Sequence, residues 1–591
     1  MSATVNQAST PTSIASGVVT YKVLVDGQEI SGAYHLLSVM VSLEVNRISS
    51  AVLHFKDGEA AKQTFEISNT PDFVPGKSIE IKLGYNAQEK SVFKGVVIKQ
   101  SIKIRASGSQ LVVECKDKAI EMTLTRRSQY YNDQKESEVW EELIGRHGLA
   151  KDVMPTTQKF HDVVQYNTTD WDFLVCRADA HGMFVTLENG KVRIAPPDLQ
   201  QPPALVVQYG SALLELDAEM DARTQSESLK AYSWDAANLE RVEAEAKDST
   251  GTPNGNISAK DLAQSLHHSE QLLYHGGALT TPELQAWANA QMLRNRLAKV
   301  RGRACFQGFA DLKPTQILEI KGIGQRFEGK VFVAGVRHQL SGGNWETDVQ
   351  FGLNPLPFAE QYHLTAPQAS ALRPAVGGLQ IGIVTKLEGD PDGEERIKIK
   401  LPMVSTETEG TWARIATLDA GKERGMYFRP EIGDEVIVGF MNDDPNYPVV
   451  LGMCHSSNHP APTSPKDDNH EKGYVSRSKM KWVFDDDKKS ISIETPAGNK
   501  IVISEDEKSI LIQDQNSNKI QMDSSGIQIE SSKDLVLKAT KDIKIEGMNM
   551  TLKAKTNFKA EGSATAEMAG ANVSVKGSAA TVIKGGIVQI N

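Results

Sequence analysis

No apolar run in this sequence approaches the ~18 residues that a membrane-spanning helix needs. Cysteine is scarce. Cys115, Cys176, Cys305 and Cys454 stand far apart with no CxxC spacing, which excludes a disulfide frame and a zinc finger and fits reduced thiols in a cytosolic product. No Lys or Arg precedes Lys22, and Met1 to Val19 is polar and rich in Ser and Thr. The start therefore reads as neither a secretory signal nor a transit peptide. Positive charge is in deficit, with 65 Lys and Arg against 75 Asp and Glu, a formal −10. Gripping phosphate over a whole surface needs the opposite balance, so only a local basic patch remains open. Aromatic residues make up just 6%. No GxSxG, HExxH or dinucleotide-binding glycine fingerprint occurs.

What is present is a succession of modules, and 591 residues correspond to about four of them. A leader over 1–17 reads as disordered. Alternating runs follow, such as Tyr21-Lys22-Val23-Leu24-Val25 and Gln110-Leu111-Val112-Val113-Glu114-Cys115, broken at Asp26-Gly27 and Asp57-Gly58. Period-two patterning with such breaks predicts β-hairpins. Helices are predicted from about Lys135 to His147, from Asp170 to His181, and from Pro282 to Arg301 with Thr281 as cap and basic residues in the last turns. Strands return over Ile317 to Leu353. The segment 18–360 thus forms a base, 361–378 a linker, 379–455 a barrel-sized run of strands, and 456–474 a second, Pro-rich linker.

The stretch 475–591 alternates almost throughout: Ile491-Ser492-Ile493-Glu494, Ile501-Val502-Ile503, Ile510-Leu511-Ile512, Ile527-Gln528-Ile529. After Pro496 there is no proline. From Leu535 a repeat takes over, with paired inward candidates at Leu535/Leu537, Ile543/Ile545, Met550/Leu552, Phe558/Ala560, Ala566/Met568, Val573/Val575, Thr581/Ile583 and Val588/Ile590, each seven or eight residues after the last. Strands of three or four residues do not stand alone, and such repeats bury their apolar faces only by stacking. Several chains wound together, each giving one face of a prism, satisfy that demand. An ordinary antiparallel meander is the other arrangement the pattern allows.

Three motifs occur in order. The first is Gln165-Tyr166-Asn167-Thr168-Thr169-Asp170-Trp171-Asp172-Phe173-Leu174 with Arg177 and His181-Gly182. The second is Gly322 to Gly329, followed by Val336-Arg337-His338 and Phe351-Gly352-Leu353. The third is Arg429-Pro430-Glu431-Ile432-Gly433-Asp434-Glu435-Val436-Ile437-Val438-Gly439-Phe440, continued through Asp443-Asp444-Pro445 to Gly452. With the C-terminal repeat, these resemble the VgrG family of central spikes, found in type VI secretion systems, extracellular contractile injection systems and contractile phage tails. In the first motif, Asn-Thr stands where the family more often has Glu-Ser. The resemblance implies a mainly β fold with minor α: a tail-hub-like base of two β-barrel-like subdomains with helices, an OB-fold barrel, and a C-terminal intertwined trimeric β-helix. It gives Gly433, Asp434, Glu435, Val436, Phe440, Asp444, Pro445 and Gly452 structural roles in the barrel. It also implies a homotrimer bound to an inner tube protein and baseplate components, a PAAR-repeat tip protein seated on Ile587, Val588, Gln589, Ile590 and Asn591, and transient contact with a target membrane. The same terminal residues could instead simply finish the trimer core. The exit Gly452-Met453-Cys454-His455-Ser456-Ser457 looks like that of extracellular injection-system spikes. The implied product is assembled in the bacterial cytoplasm and then released in a particle or injected.

Competing readings are weaker on chemical grounds. Gly324 to Lys330 spells GxxxxGK, but Val331 stands where a phosphate loop needs Ser or Thr, and a strand rather than a helix follows. Cys454-His455, His459 and His470 lie in Pro/Ser-rich linker without a rigid second ligand pair, so no metal or other cofactor is expected. No His follows His470, so a histidine-chelated metal tip is absent. The barrel lacks a basic, aromatic-studded face, so no nucleic acid is expected there. Ser456 to Gly473 is too short for an inserted enzyme domain, and no enzyme activity is expected. A spike carrying its own effector enzyme, or a carbohydrate-binding tail-like adhesin, is the alternative. Residues 535–591 hold eight Lys and four acidic residues, a local +4, so the rest carries −14.

Overall fold

The computed structural model of the chain describes residues 17–251 and 254–590. The expected leader lies outside the described residues apart from Gly17, as does Asn591. The chain divides into two compact units. One comprises 1–379 with 439–449, the other 380–438 with 450–591.

The first unit is organised by a thirteen-stranded sheet. Alternation builds it. In Ser50–Lys56 the residues Ala51, Leu53 and Phe55 point into the core while their neighbours are partly exposed. The long strand Gly329–Ser341 pairs with Leu36–Glu44 on one side and Asn344–Phe351 on the other, so it stitches early sequence to late. The sheet surrounds two apolar cores. One gathers Val39, Leu53, Phe55, Ile81, Leu83, Leu111 and Trp345; the other gathers Val207, Phe306, Leu318, Val333, Val349 and Phe351. Gly308 makes room for Trp345, since a Cβ there would sit 2.0 Å from the indole.

Helices cover further faces: α1 (Glu136–Arg146), α2 (Asp170–Ala180), α3 (Ala259–Ser265) and α4 (Thr281–Leu297). Trp140 and Leu143 of α1 pack with Leu174 and Val175 of α2 in one core. Leu284, Ala288 and Met292 of α4 pack on the sheet formed by Ser228–Asp235, Glu240–Glu245 and Glu270–Tyr274. The third helix of the sequence reading is α4, and it differs at both ends. Thr280, not Thr281, is the cap, because only Thr280 stands three residues before Glu283 and can complete a capping box with it. The helix stops at Leu297 because Val300–Gln307 is a strand, held between Leu213–Met220 and Asn344–Phe351.

The second unit begins as a closed five-stranded barrel of Gln380–Lys386, Ile397–Lys400, Thr411–Ile415, Glu435–Phe440 and Pro448–Met453. Its interior holds Val384, Ile397, Ile399, Ala413, Val436, Val438 and Val450, all buried. A seven-stranded antiparallel meander follows from Glu471 to Glu530, its strands paired in sequence order. Among the described residues no strand is assigned beyond Glu530. The alternating C-terminal stretch is therefore of two kinds. Up to Glu530 it takes the meander arrangement within one chain. From Leu535 the short repeat finds no partner strand in its own chain, because its three-to-four-residue arms leave too little length for a stable hairpin.

His338 is wholly buried in the first unit, with Nδ1 3.1 Å from Thr347 Oγ1, and burial holds its imidazole down at about 3. Burial, then the neighbouring Arg177 charge, holds His181 down at about 4. Both are neutral when folded but take up protons near pH 6.5 when unfolded. Their contribution is neutral above that pH, and stability falls as the pH drops from 6.5 towards 4, by about 1.4 kcal/mol per pH unit for each group. Thermal unfolding of the full chain between pH 7 and 5 should show this loss, and His338→Gln should make the slope shallower. An unchanged slope would contradict the assignment.

Candidate interaction face of the shaft

The meander sorts its side chains by face. Pairing aligns Trp482, Ile493, Ile501, Ile512, Ile520 and Ile529 in one column across six strands, and Phe484, Ile491, Ile503, Ile510, Met522 and Ile527 in a second beside it. All twelve positions are apolar, and because strand side chains alternate, all twelve lie on one face. The opposite face carries Ser492, Gln521 and Gln528 among Val483, Val502 and Leu511, flanked by a row in which Lys481, Glu494, Lys500, Gln513, Lys519 and Glu530 are cross-strand neighbours. Lys519 and Glu530 pair at 3.3 Å.

The apolar columns are open in the single chain. Ile493 is 49% exposed and Ile527 72%. Ile493, Ile501, Ile512, Ile520, Ile529 and Leu535 line a shallow groove. A contiguous apolar strip of this length exceeds what a monomer leaves to water. Beyond Ser531 the exposure continues: Leu537, Ile545, Leu552, Phe558, Met568, Val575 and Ile583 are all exposed. So are Ile587, Val588, Gln589 and Ile590 at the expected tip. Asn518 marks the change of regime, its Oδ1 accepting from Ser531 Oγ at 3.1 Å and Ser532 N at 2.8 Å. The sequence reading missed Trp482/Phe484 and Ile520/Met522 as members of the columns. The signal was the same i, i+2 alternation, hidden in the first case by rings and in the second by Gln521 and Met522.

The barrel motif is an architectural device. Gly433 has φ +94°, open to glycine, and its N–H donates to Val384 O at 2.9 Å while Val384 N–H donates to Asp434 O at 3.0 Å. Asp434 accepts from Glu431 N–H at 2.8 Å. Glu435 opens the strand that buries Val436 and Val438, and Phe440 closes it half-buried. Asp444 is buried and accepts from Arg373 at 3.1 Å and Asn446 N–H at 2.9 Å, just before Pro445. Gly452 lies in the closing strand Pro448–Met453.

The first motif also serves packing. Thr169 caps α2 by accepting from Asp172 N–H at 3.0 Å, and Asp170 is the first helical residue, a carboxylate in the first turn. Buried Asp170 accepts twice from Arg146, at 3.0 Å each, and from Gln165 Nε2 at 2.9 Å, with His147 Nε2 2.9 Å away. Gly324 lies in a turn between Ile317–Lys321 and Gly329–Ser341, which pair antiparallel, so the GxxxxGK string is a hairpin connection. Among the described residues no three His, Cys, Asp or Glu side chains converge as metal ligands.

Residues 15–342, more than half of the chain, match the family of the Alg8 N-terminal domain. Residues 380–455 match the type VI secretion system/phage-baseplate injector OB domain, and 490–586 match the phage baseplate V C-terminal trimerisation domain. The chain belongs to the Alg8 N-terminal domain family, and its two later domains match those of type VI secretion and phage-baseplate injectors. Curated relatives include the type VI secretion system spike protein VgrG3 of Vibrio cholerae, 30% identical over 131 residues that make up 21% of this chain and 12% of that protein. The spike protein VgrG1b of Pseudomonas aeruginosa is 22% identical over 60% of this chain and 50% of that protein. The actin cross-linking toxin VgrG1 of Vibrio cholerae matches 16% of this chain at 35% identity, over 9% of its own length. The chain thus spans half or less of these relatives. Among solved structures, a tail protein of Neisseria meningitidis covers 57% of this chain and 98% of its own at 15% identity and TM-score 0.44. An Escherichia coli type VI secretion component covers 73% of this chain and the whole of its own at 13% identity and TM-score 0.38.

The barrel motif yields a stability prediction. Gly433→Ala places a Cβ at positive φ and should cost about 1 kcal/mol. Asp444→Ala removes a buried acceptor from two donors and should cost about 2 kcal/mol or more. Urea unfolding of the full chain followed by a barrel probe checks both; Asp444→Ala as mild as Gly433→Ala would count against the hydrogen-bond argument.

Proposed function

We propose that the chain is one of three identical subunits of the central spike of a contractile injection machine. The observation that carries this reading is the pair of unbroken apolar columns left open on one face of the shaft. Three chains close a prism by turning these faces inward, which buries twelve side chains per subunit and the exposed pairs from Leu535 onward. The match of 490–586 to a trimerisation domain supports it. The base of 18–360 then joins the inner tube and baseplate, the barrel continues it, and the shaft leads. Its work is mechanical: contraction of the machine drives it through a target envelope, and no reaction is assigned to it. Assembly in the bacterial cytoplasm followed by release in a particle or injection is part of the same reading. On this reading Ile587, Val588, Gln589, Ile590 and Asn591 take a PAAR-repeat cone, and the exposed Ile587, Val588 and Ile590 supply the apolar surface for it.

Ile520 and Gln521 are adjacent but lie on opposite faces. Ile520→Asp should cut trimer yield in sedimentation by about tenfold or more, since it buries a charge, while Gln521→Asp should leave it intact. Equal behaviour of the two, or a wild-type chain that stays monomeric across a wide concentration range, would refute the trimer. Deleting Ile587–Asn591 should abolish capture of a PAAR-repeat partner and spare the trimer; undiminished capture would refute the tip assignment.

A further inference from the structure

The two columns are nearly uniform along most of their length. Between Ile491 and Ile529 they consist of Ile with one Met. A second copy could therefore meet this face with its strands displaced by one or two steps along the axis, still setting aliphatic against aliphatic. Strand systems whose apolar pattern repeats without a marker specify register weakly. Something outside the aliphatic run has to fix it.

The only rings on this face stand together at its barrel end. Trp482 and Phe484 lie side by side in the two columns, their centroids 5.3 Å apart, with Tyr474 and Lys472 opposite them on the first strand. Tyr474 pairs with Trp482 across the first two strands and so lies on the same face. Tyr474 in turn packs on Phe428 of the barrel at 4.8 Å. Arg477 and Glu431 pair at 2.9 Å beside them, so the turn that starts the meander is fastened to the barrel segment carrying Phe428. From Asp485 to the end of the chain the sole aromatic residue is Phe558. These rings remain open: Phe428 is 52% exposed, Tyr474 47% and Trp482 46%, and the neighbouring Tyr427 is 88% exposed.

We infer that Phe428, Tyr474, Trp482 and Phe484 form an aromatic collar that docks against the same residues of a second and third copy of this chain and sets the axial register of the trimer. The inference rests on the trimeric reading and deepens it. The occupant is a second copy because the rings continue, without a break, the columns on which the trimer is proposed to close. Register follows from size. A large ring fits opposite rings, whereas a slipped chain would set Trp482 and Phe484 against isoleucines and leave a gap on one side and overpacking on the other. Being joined to the barrel by a ring contact and an ion pair, the collar is the part of this face anchored to a closed domain, and on this proposal association starts there.

The test uses the full chain refolded by dilution from denaturant, with trimer followed by sedimentation and shaft homogeneity by thermal melting and negative-stain length. Wild type should give one trimer species of one length. Phe428→Ser with Tyr474→Ser should slow trimer formation about tenfold, since it weakens a contact placed in the association nucleus. A second variant, Trp482→Ile with Phe484→Ile, keeps both columns apolar and the chain folded; it should still associate but yield several species of different length or melting temperature. Phe558→Ser, far from the collar, should leave rate and homogeneity as in wild type. A single homogeneous trimer from the isoleucine variant, formed at the wild-type rate, overturns the collar while leaving the trimer standing. A monomeric wild type overturns both.

Discussion

The structure depends on one constraint: a strand must have its backbone groups paired and its apolar side buried, and the C-terminal part of this chain does only some of this alone. From Glu471 to Glu530 the backbone is satisfied internally, strand by strand, but the apolar face is not covered. From Leu535 neither condition is met within the chain. Completion has to come from outside, and the same surface repeated on identical copies is the simplest source, because threefold closure brings like faces together without leaving an edge. The enclosed base and barrel stand in contrast: their cores are complete in one chain.

This division explains where polar residues are placed. Ser, Gln, Lys and Glu on the outer face of the meander keep that face wet, and the alternating Lys–Glu row favours the native cross-strand order. The turns between strands are mostly polar, and Lys489, Lys508 and Ser517 adopt positive φ in them. At Asn518 the side chain takes over from backbone pairing, accepting from Ser531 and Ser532 where the meander ends. The barrel uses the same economy. Gly382 faces inward where a Cβ would lie 2.9 Å from Val438 Cγ2, so a narrow five-stranded barrel closes around small and branched side chains.

Much of this was legible in the sequence because period-two alternation is a direct readout of burial on one face. Ile491-Ser492-Ile493 and Ile501-Val502-Ile503 announced strands, and Gly433 stands at the turn that leads into the barrel strand Glu435–Phe440. Three helices were read from their ends, while α3 was missed despite its Ser258 cap, and the α4 cap fell one residue early, because a capping box depends on the spacing to Glu283 and not on adjacency to proline. What the sequence did not disclose was where pairing stops being intramolecular. The shorter repeat from Leu535 was visible in the sequence; that the five-residue arms before Ser531 pair within one chain was visible only in the three-dimensional pairing. The contact between Phe428 and Tyr474 was equally hidden, since it joins residues on opposite sides of a linker.

The two regimes of the shaft suit different mechanical tasks. In the meander, hydrogen bonds run along the stacking direction of the strands within one chain, so an axial load is shared by several bonds per strand pair and must break them together. Past Ser531 that ladder ends within the chain, so in the proposed trimer load would pass between copies and that part would be as strong as the assembly and no stronger. The slender part from Leu535 takes Leu, Ile, Val, Met and Ala with a single phenylalanine. The single aromatic residue and the excess of lysine after Leu535 fit the proposed three-chain shaft, which would have little interior and much exterior, its outward positions left to charge.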